Sequence, residues 1–78
     1  LKNEELAQAL GTVYKSARLE ASYSQEALAR RCGLKRAALA AIERGEKAIT
    51  VETAQRIAVA LGMPLSEVFH RLEEATQI

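Results

Sequence analysis

The chain contains no aspartate and no tryptophan, and only one cysteine, one histidine, one proline and one methionine. Cys32 alone cannot form an internal disulfide, so the fold is not stapled as small secreted domains are. One cysteine, one histidine and no aspartate provide too few ligands for a zinc site and no nucleophilic triad. An enzyme is therefore not expected, nor is a metal, another cofactor or a small-molecule ligand. Cys32 is read as a small core residue, and neither it nor His70 is read as a metal or redox site. Aromatic residues are only 4% of the chain, β-branched residues are scattered, and no period-two alternation lasts beyond four residues, which argues against strands. The lack of a charged-then-apolar leader or a long apolar run gives no sign of export or of a membrane partner, and a cytoplasmic location is expected. The first residue is Leu1 rather than methionine, and a few preceding residues are expected.

Large side chains are scarce as well. Hydrophobic residues make up 49% of the 78, but alanine fills 15 of those positions, so the core must be built from few large groups. A chain this short buries only about 60–65% of its unfolded surface, and a partner subunit would add to a thin stability margin. One domain spanning residues 1–78 is expected, without linker, repeat or low-complexity tract.

The patterns that are present are helical. Leu6, Leu10, Tyr14 and Ala17 lie on one face of a helix over roughly residues 3–20. Tyr14 and Tyr23 are read as core residues with hydrated hydroxyls. Ser24 reads as an N-cap with Glu26 in the first turn, opening a short helix that turns Leu28, Ala29 and Cys32 inward and stops at Gly33. A third helix runs from near Lys35 to Gly45, with Leu39 and Ile42 inward and alanines at 37, 38, 40 and 41 on its outward face. These two short helices and their glycine turn, about residues 25–45, form a helix-turn-helix pattern. Thr50 caps a fourth helix with Val51, Ala54, Ile57, Ala58 and Leu61 as its buried stripe, ended by Gly62 and Pro64. Ser66 is expected to start a fifth helix, about residues 66–74, carrying Val68, Phe69 and Leu72 before a polar tail to Ile78 that frays.

The net charge of +1 conceals an uneven distribution. Residues 1–22 carry three basic and three acidic groups, residues 23–47 six and three, and residues 48–78 two and four. The positive charge is concentrated around the third helix.

Four motifs then converge: S-Q-E-x-L-A at Ser24–Ala29, the turn at Gly33-Leu34, I-E-R-G at Ile42–Gly45, and A-x-A-L-G at Ala58–Gly62. Together they resemble the Xre/Cro/C1-type helix-turn-helix regulators over nearly the whole chain, from about Leu10 to Phe69. The short length, the Ile49-Thr50 step and a fifth helix without an added domain look most like the controller proteins of restriction–modification systems. The resemblance implies an all-α, five-helix, lambda-repressor-like domain that places its third helix in the major groove of double-stranded DNA. It also implies a homodimer on a palindromic operator and a role in transcription regulation.

Arg36, at the start of that helix, is the expected base reader, because a guanidinium can bond guanine O6 and N7 together. The resemblance places base-facing positions at Ala37, Ala38 and Ala41 as well, where alanine can touch a thymine methyl but cannot hydrogen-bond. Ser24 and Gln25, at a helix N-terminus, and Lys35, Arg44, Lys47 and Thr50 are expected at phosphates. Lys35 replaces the Ser or Thr cap usual in the resembling family. Arg18 and Glu43 match a structural ion pair of that family. Ser22 stands where it often has the glycine that ends the first helix, and Ala17 replaces a larger core residue. Val51, Met63, Leu65, Phe69 and Leu72 are the expected dimer surface. The alanine-faced third helix also suits close packing against protein, so an interaction adaptor or antitoxin-like module on the same fold is the rival reading.

Overall fold

The computed structural model describes residues 3–77, which form five helices and, among the described residues, no strand: α1 (Asn3–Glu20), α2 (Gln25–Cys32), α3 (Arg36–Glu43), α4 (Val51–Ala60) and α5 (Leu65–Ala75). Ile78, the end of the tail expected to fray, lies outside the described residues. Ser24 and Thr50 occupy the N-cap positions of α2 and α4, and their hydroxyl oxygens accept from the N–H groups of Ala27 and Thr53. Ser66 does not start α5. Pro64 holds the N-cap position without a side-chain hydrogen bond, its fixed φ of −67° leading the chain directly into Leu65.

Each helix contributes one fully enclosed large side chain to a common core: Tyr14, Leu28, Leu39, Ile57 and Val68. Burying such a group stabilises by about 1.5–3 kcal/mol, so this small set supplies much of the apolar stabilisation. Small residues fill in around it. Ala17, Ala29, Ala40, Ala54, Ala58 and Ala60 are buried, which lets the helices approach closely. Two expectations for the stripes fail at helix starts. Val51 is 68% exposed and Leu6 38%, because each lies at the outer end of its stripe, where neighbouring elements cover it only in part. The Tyr14 hydroxyl is not hydrated either: it is buried and donates to the carbonyl of Ala54 at 2.7 Å. Burial, with a smaller contribution from Cys32, pushes its pKa up to about 12.

Four helices end in the same way. After α1, α2, α3 and α4 a residue adopts a left-handed conformation, and the next N–H reaches back five residues to a helix carbonyl. Gly33, Gly45 and Gly62 do this without steric cost, but Ser22 does it at φ 63° with a Cβ in place. Ser22→Gly is therefore expected to raise stability by about 1 kcal/mol, read as a higher midpoint in urea at unchanged slope.

Candidate nucleic-acid interface

The exposed start of α3 is polar and basic. Lys35 sits at the N-cap in an extended conformation and makes no capping hydrogen bond, since its side chain has no acceptor. Arg36 follows as the first helical residue and is exposed, as is Ala37. Ala38 and Ala41 are half-buried, and Ala40 is buried, so the outward face is narrower than four alanines suggest. α3 meets α1 and α2, and a helix so enclosed keeps only a thin strip free.

That strip is oriented by a buried polar network. Arg18 Nε and Nη2 donate to Glu43 Oε2 and Oε1 at 2.7 and 3.0 Å, a bidentate pair between α1 and the last residue of α3. The side chains are only 8% and 2% exposed. Arg18 Nη1 also donates to the carbonyl of Tyr23 at 2.8 Å, tying down the chain before α2. Glu43 Oε1 accepts a further bond from Gln25 Nε2 at 3.0 Å, which turns the Gln25 oxygen outward. Arg36 Nη1 lies 3.5 Å from that oxygen. Gln25 thus commits its amide N–H to the network and its oxygen to Arg36. What α2 offers outward are Ser24 and the first backbone N–H groups of the helix, which have no intrahelical acceptor.

The far end of α3 carries the second basic group. Arg44 is exposed and paired with Glu46 across the Gly45 turn, Nε to Oε2 at 2.8 Å and Nη2 to Oε1 at 3.1 Å. Lys47 is exposed beside them. The Thr50 hydroxyl lies 3.2 Å from that of Thr53 and accepts from the Thr53 N–H, so its hydrogen-bonding capacity is largely spent on capping α4. Sequence reasoning did not identify the Arg44–Glu46 pair or the Gln25–Glu43 bond. An acid two residues beyond a helix-ending arginine, with glycine between, is the local signal for the first.

The residues expected at a dimer surface do not form one uniform patch. Phe69 is 43% exposed on α5, and Met63 and Leu65 are half-buried against the core. Leu72 lines a different groove, with Leu6 and Leu10 of α1 and Ile49. Val51 stands at the opposite end of α4 from Met63, about 15 Å along the ten-residue helix.

Among the described residues no three His, Cys, Asp or Glu side chains gather in a way that could hold a metal ion, and no helix is long and apolar enough to cross a membrane. A family model, HTH_3, described as helix-turn-helix, matches residues 15–68. Similar solved structures include the following three. The clp gene regulator ClgR from C. glutamicum is 25% identical with a TM-score of 0.89, covering 94% of this chain and 95% of that one. The wild-type restriction-modification controller protein C.Esp1396I is 28% identical with a TM-score of 0.84, covering 90% and 92%. The restriction-modification controller protein C.AhdI from Aeromonas hydrophila is 29% identical with a TM-score of 0.78, covering 83% and 97%. No curated protein matches.

Proposed function

We propose that this chain, which belongs to the HTH_3 helix-turn-helix family and is a DNA-binding transcriptional regulator, acts as a cytoplasmic homodimer on a palindromic operator. It performs no catalysis. Each subunit lays the exposed strip of α3 in a major groove, with half-sites about 34 Å apart. The observation that carries this reading is the network running from Arg18 through Glu43 and Gln25 to Arg36. A buried ion pair fixes an amide, and the amide presents an acceptor to the guanidinium of the first residue of α3. Such preparation suits an arginine that must meet a base edge in a defined orientation.

The phosphate contacts surround this reader. Ser24 and the α2 N-terminus hold one phosphate, Lys35 another, and Arg44 and Lys47 flank the far end, where the Thr50 hydroxyl is committed to capping α4. Gln25 supports Arg36 and contributes its backbone N–H. Ala37, Ala38 and Ala41 supply close approach and methyl contact, so discrimination rests largely on one arginine, dimer spacing and DNA deformability. Phe69, exposed on α5, is the centre of the dimer surface, to which Met63 and Leu65 add what the core leaves uncovered. Leu72, in a separate groove, and Val51, at the far end of α4, lie outside it.

Selection of bound duplexes from a random pool tests the reading, since it reports binding, half-site spacing and base preference together. Palindromes with half-sites one helical turn apart are expected, and sizing at micromolar concentration should show a dimer. Arg36→Ala is expected to cost about 1–3 kcal/mol on the selected duplex and to flatten preference at one base pair per half-site. Unchanged affinity and preference in that variant would refute the assigned readout, and a strict monomer would refute the dimer.

A further inference from the structure

We propose that Glu46 limits the affinity of the DNA face by competing with phosphate for the guanidinium of Arg44. The proposal rests on the DNA-binding reading above and adds to it a residue that opposes binding.

A guanidinium presents its donors as a fork that suits two oxygens of a carboxylate or of a phosphate equally well. In Arg44 the fork formed by Nε and Nη2 is filled by both oxygens of Glu46. The Nε–H and the inner Nη2–H cannot serve a phosphate until the carboxylate leaves, and the Nη1 and outer Nη2 N–H groups that remain belong to a guanidinium whose charge is already matched by Glu46. The position of Glu46 is set by the backbone: Gly45 is left-handed at φ 74°, and the Glu46 N–H donates to the carbonyl of Ala41 at 3.0 Å. The turn that ends the recognition helix therefore delivers an acid onto its last cation.

Glu46 has no evident structural task. The two side chains are 57% and 59% exposed, and an exposed pair of this kind adds little to folding. Arg44 holds the Glu46 carboxyl below the usual carboxylate range, so it is charged at neutral pH and remains an anion beside the approaching DNA. Glu43, three residues earlier, has its charge matched by Arg18 in the interior and does not play this part.

Phosphates are the same at every sequence, so competition at Arg44 weakens all complexes alike. It leaves base preference to Arg36. The effect is to reduce occupancy of unrelated DNA without altering which operator is favoured.

The test is a double-variant cycle of Glu46→Gln and Arg44→Ala, titrated at several salt concentrations against a duplex recovered by selection and a scrambled duplex of equal length. Glu46→Gln is expected to tighten binding to both duplexes about tenfold at moderate salt and to steepen the plot of log K against log salt by up to roughly 0.9. The ratio between the duplexes should stay the same. In the Arg44→Ala background the same substitution should change affinity less than about twofold, since the competed-for group is gone. Competition is overturned if Glu46→Gln has no effect, or if it tightens binding equally in both backgrounds, which would indicate only the general field of a negative charge. If Arg44→Ala weakens binding while Glu46→Gln changes nothing, the DNA face stands and the role of Glu46 fails. No salt-dependent binding by any of these proteins removes the DNA face and the role of Glu46 with it.

Discussion

Arg18→Ala is expected to lower the stability of the protein by about 3–5 kcal/mol, because it leaves the Glu43 carboxylate buried without its cation. A domain of 78 residues has about 4–12 kcal/mol in all. The loss is therefore of the order that leaves a large unfolded population at ordinary temperature. The Glu43 side chain is 2% exposed and would keep one neutral donor, the Gln25 amide. The carbonyl of Tyr23 would lose its donor too, loosening the link between α1 and α2. Urea denaturation by far-UV circular dichroism measures the effect, and a loss under about 1 kcal/mol would contradict the burial of this pair. The paired variant Arg18→Met with Glu43→Leu removes both charges and should regain most of the stability, since apolar replacements of buried pairs are often neutral or better. That variant separates folding from function. It should remain folded, yet Gln25 loses the acceptor that orients it, so binding is expected to persist through phosphate contacts while preference at the Arg36 position falls.

Gly11→Ala is expected to cost about 2–3 kcal/mol even though alanine favours helix over glycine by about 1 kcal/mol. Gly11 is buried in the middle of α1, where α3 crosses it. A Cβ there would stand 2.7 Å from the carbonyl oxygen of Glu43, and closer still to that of Ile42. Both obstacles are backbone, so no side chain can swing away. The end of α3 would have to move, taking Glu43 away from Arg18. Thermal and urea denaturation should both report the loss. The accompanying drop in affinity should exceed what unfolding alone explains, because the recognition helix is displaced in the molecules that remain folded. A variant as stable as the parent would show that α1 and α3 are not in this close contact.

These two positions show what could be read in advance and what could not. Helix limits were legible because they rest on local chemistry: Ser24 and Thr50 as hydroxyl caps, and glycines at 33, 45 and 62 in left-handed turns. The inward faces were legible where a stripe lies within a helix, as with Leu28, Ala29 and Cys32 or Leu39 and Ile42, all of them buried. Periodicity failed at Val51 and Leu6, since it reports a face and not whether anything covers it. The Tyr14 hydroxyl was misjudged because its acceptor, Ala54, is 40 residues away. Arg18 and Glu43 stand 25 residues apart, and only the family resemblance joined them. Gly11 left a clue that went unused: with the other three glycines accounted for by turns, a fourth inside a helix marks close backbone approach.

α3 has eight residues, no side-chain cap, no acid in its first turn and no base in its last. Isolated helices shorter than about 12–15 residues are marginal in water even with good composition. Its persistence therefore belongs to the bundle and not to its own sequence, and its inner amides should exchange hydrogen only when the entire molecule opens. This separates the element into two parts with different obligations. Leu39, Ala40, Ile42 and Glu43 are committed to the scaffold, whereas Arg36 and Ala37 stand free of the interior. Those exposed positions can therefore be substituted without refolding the protein that carries them.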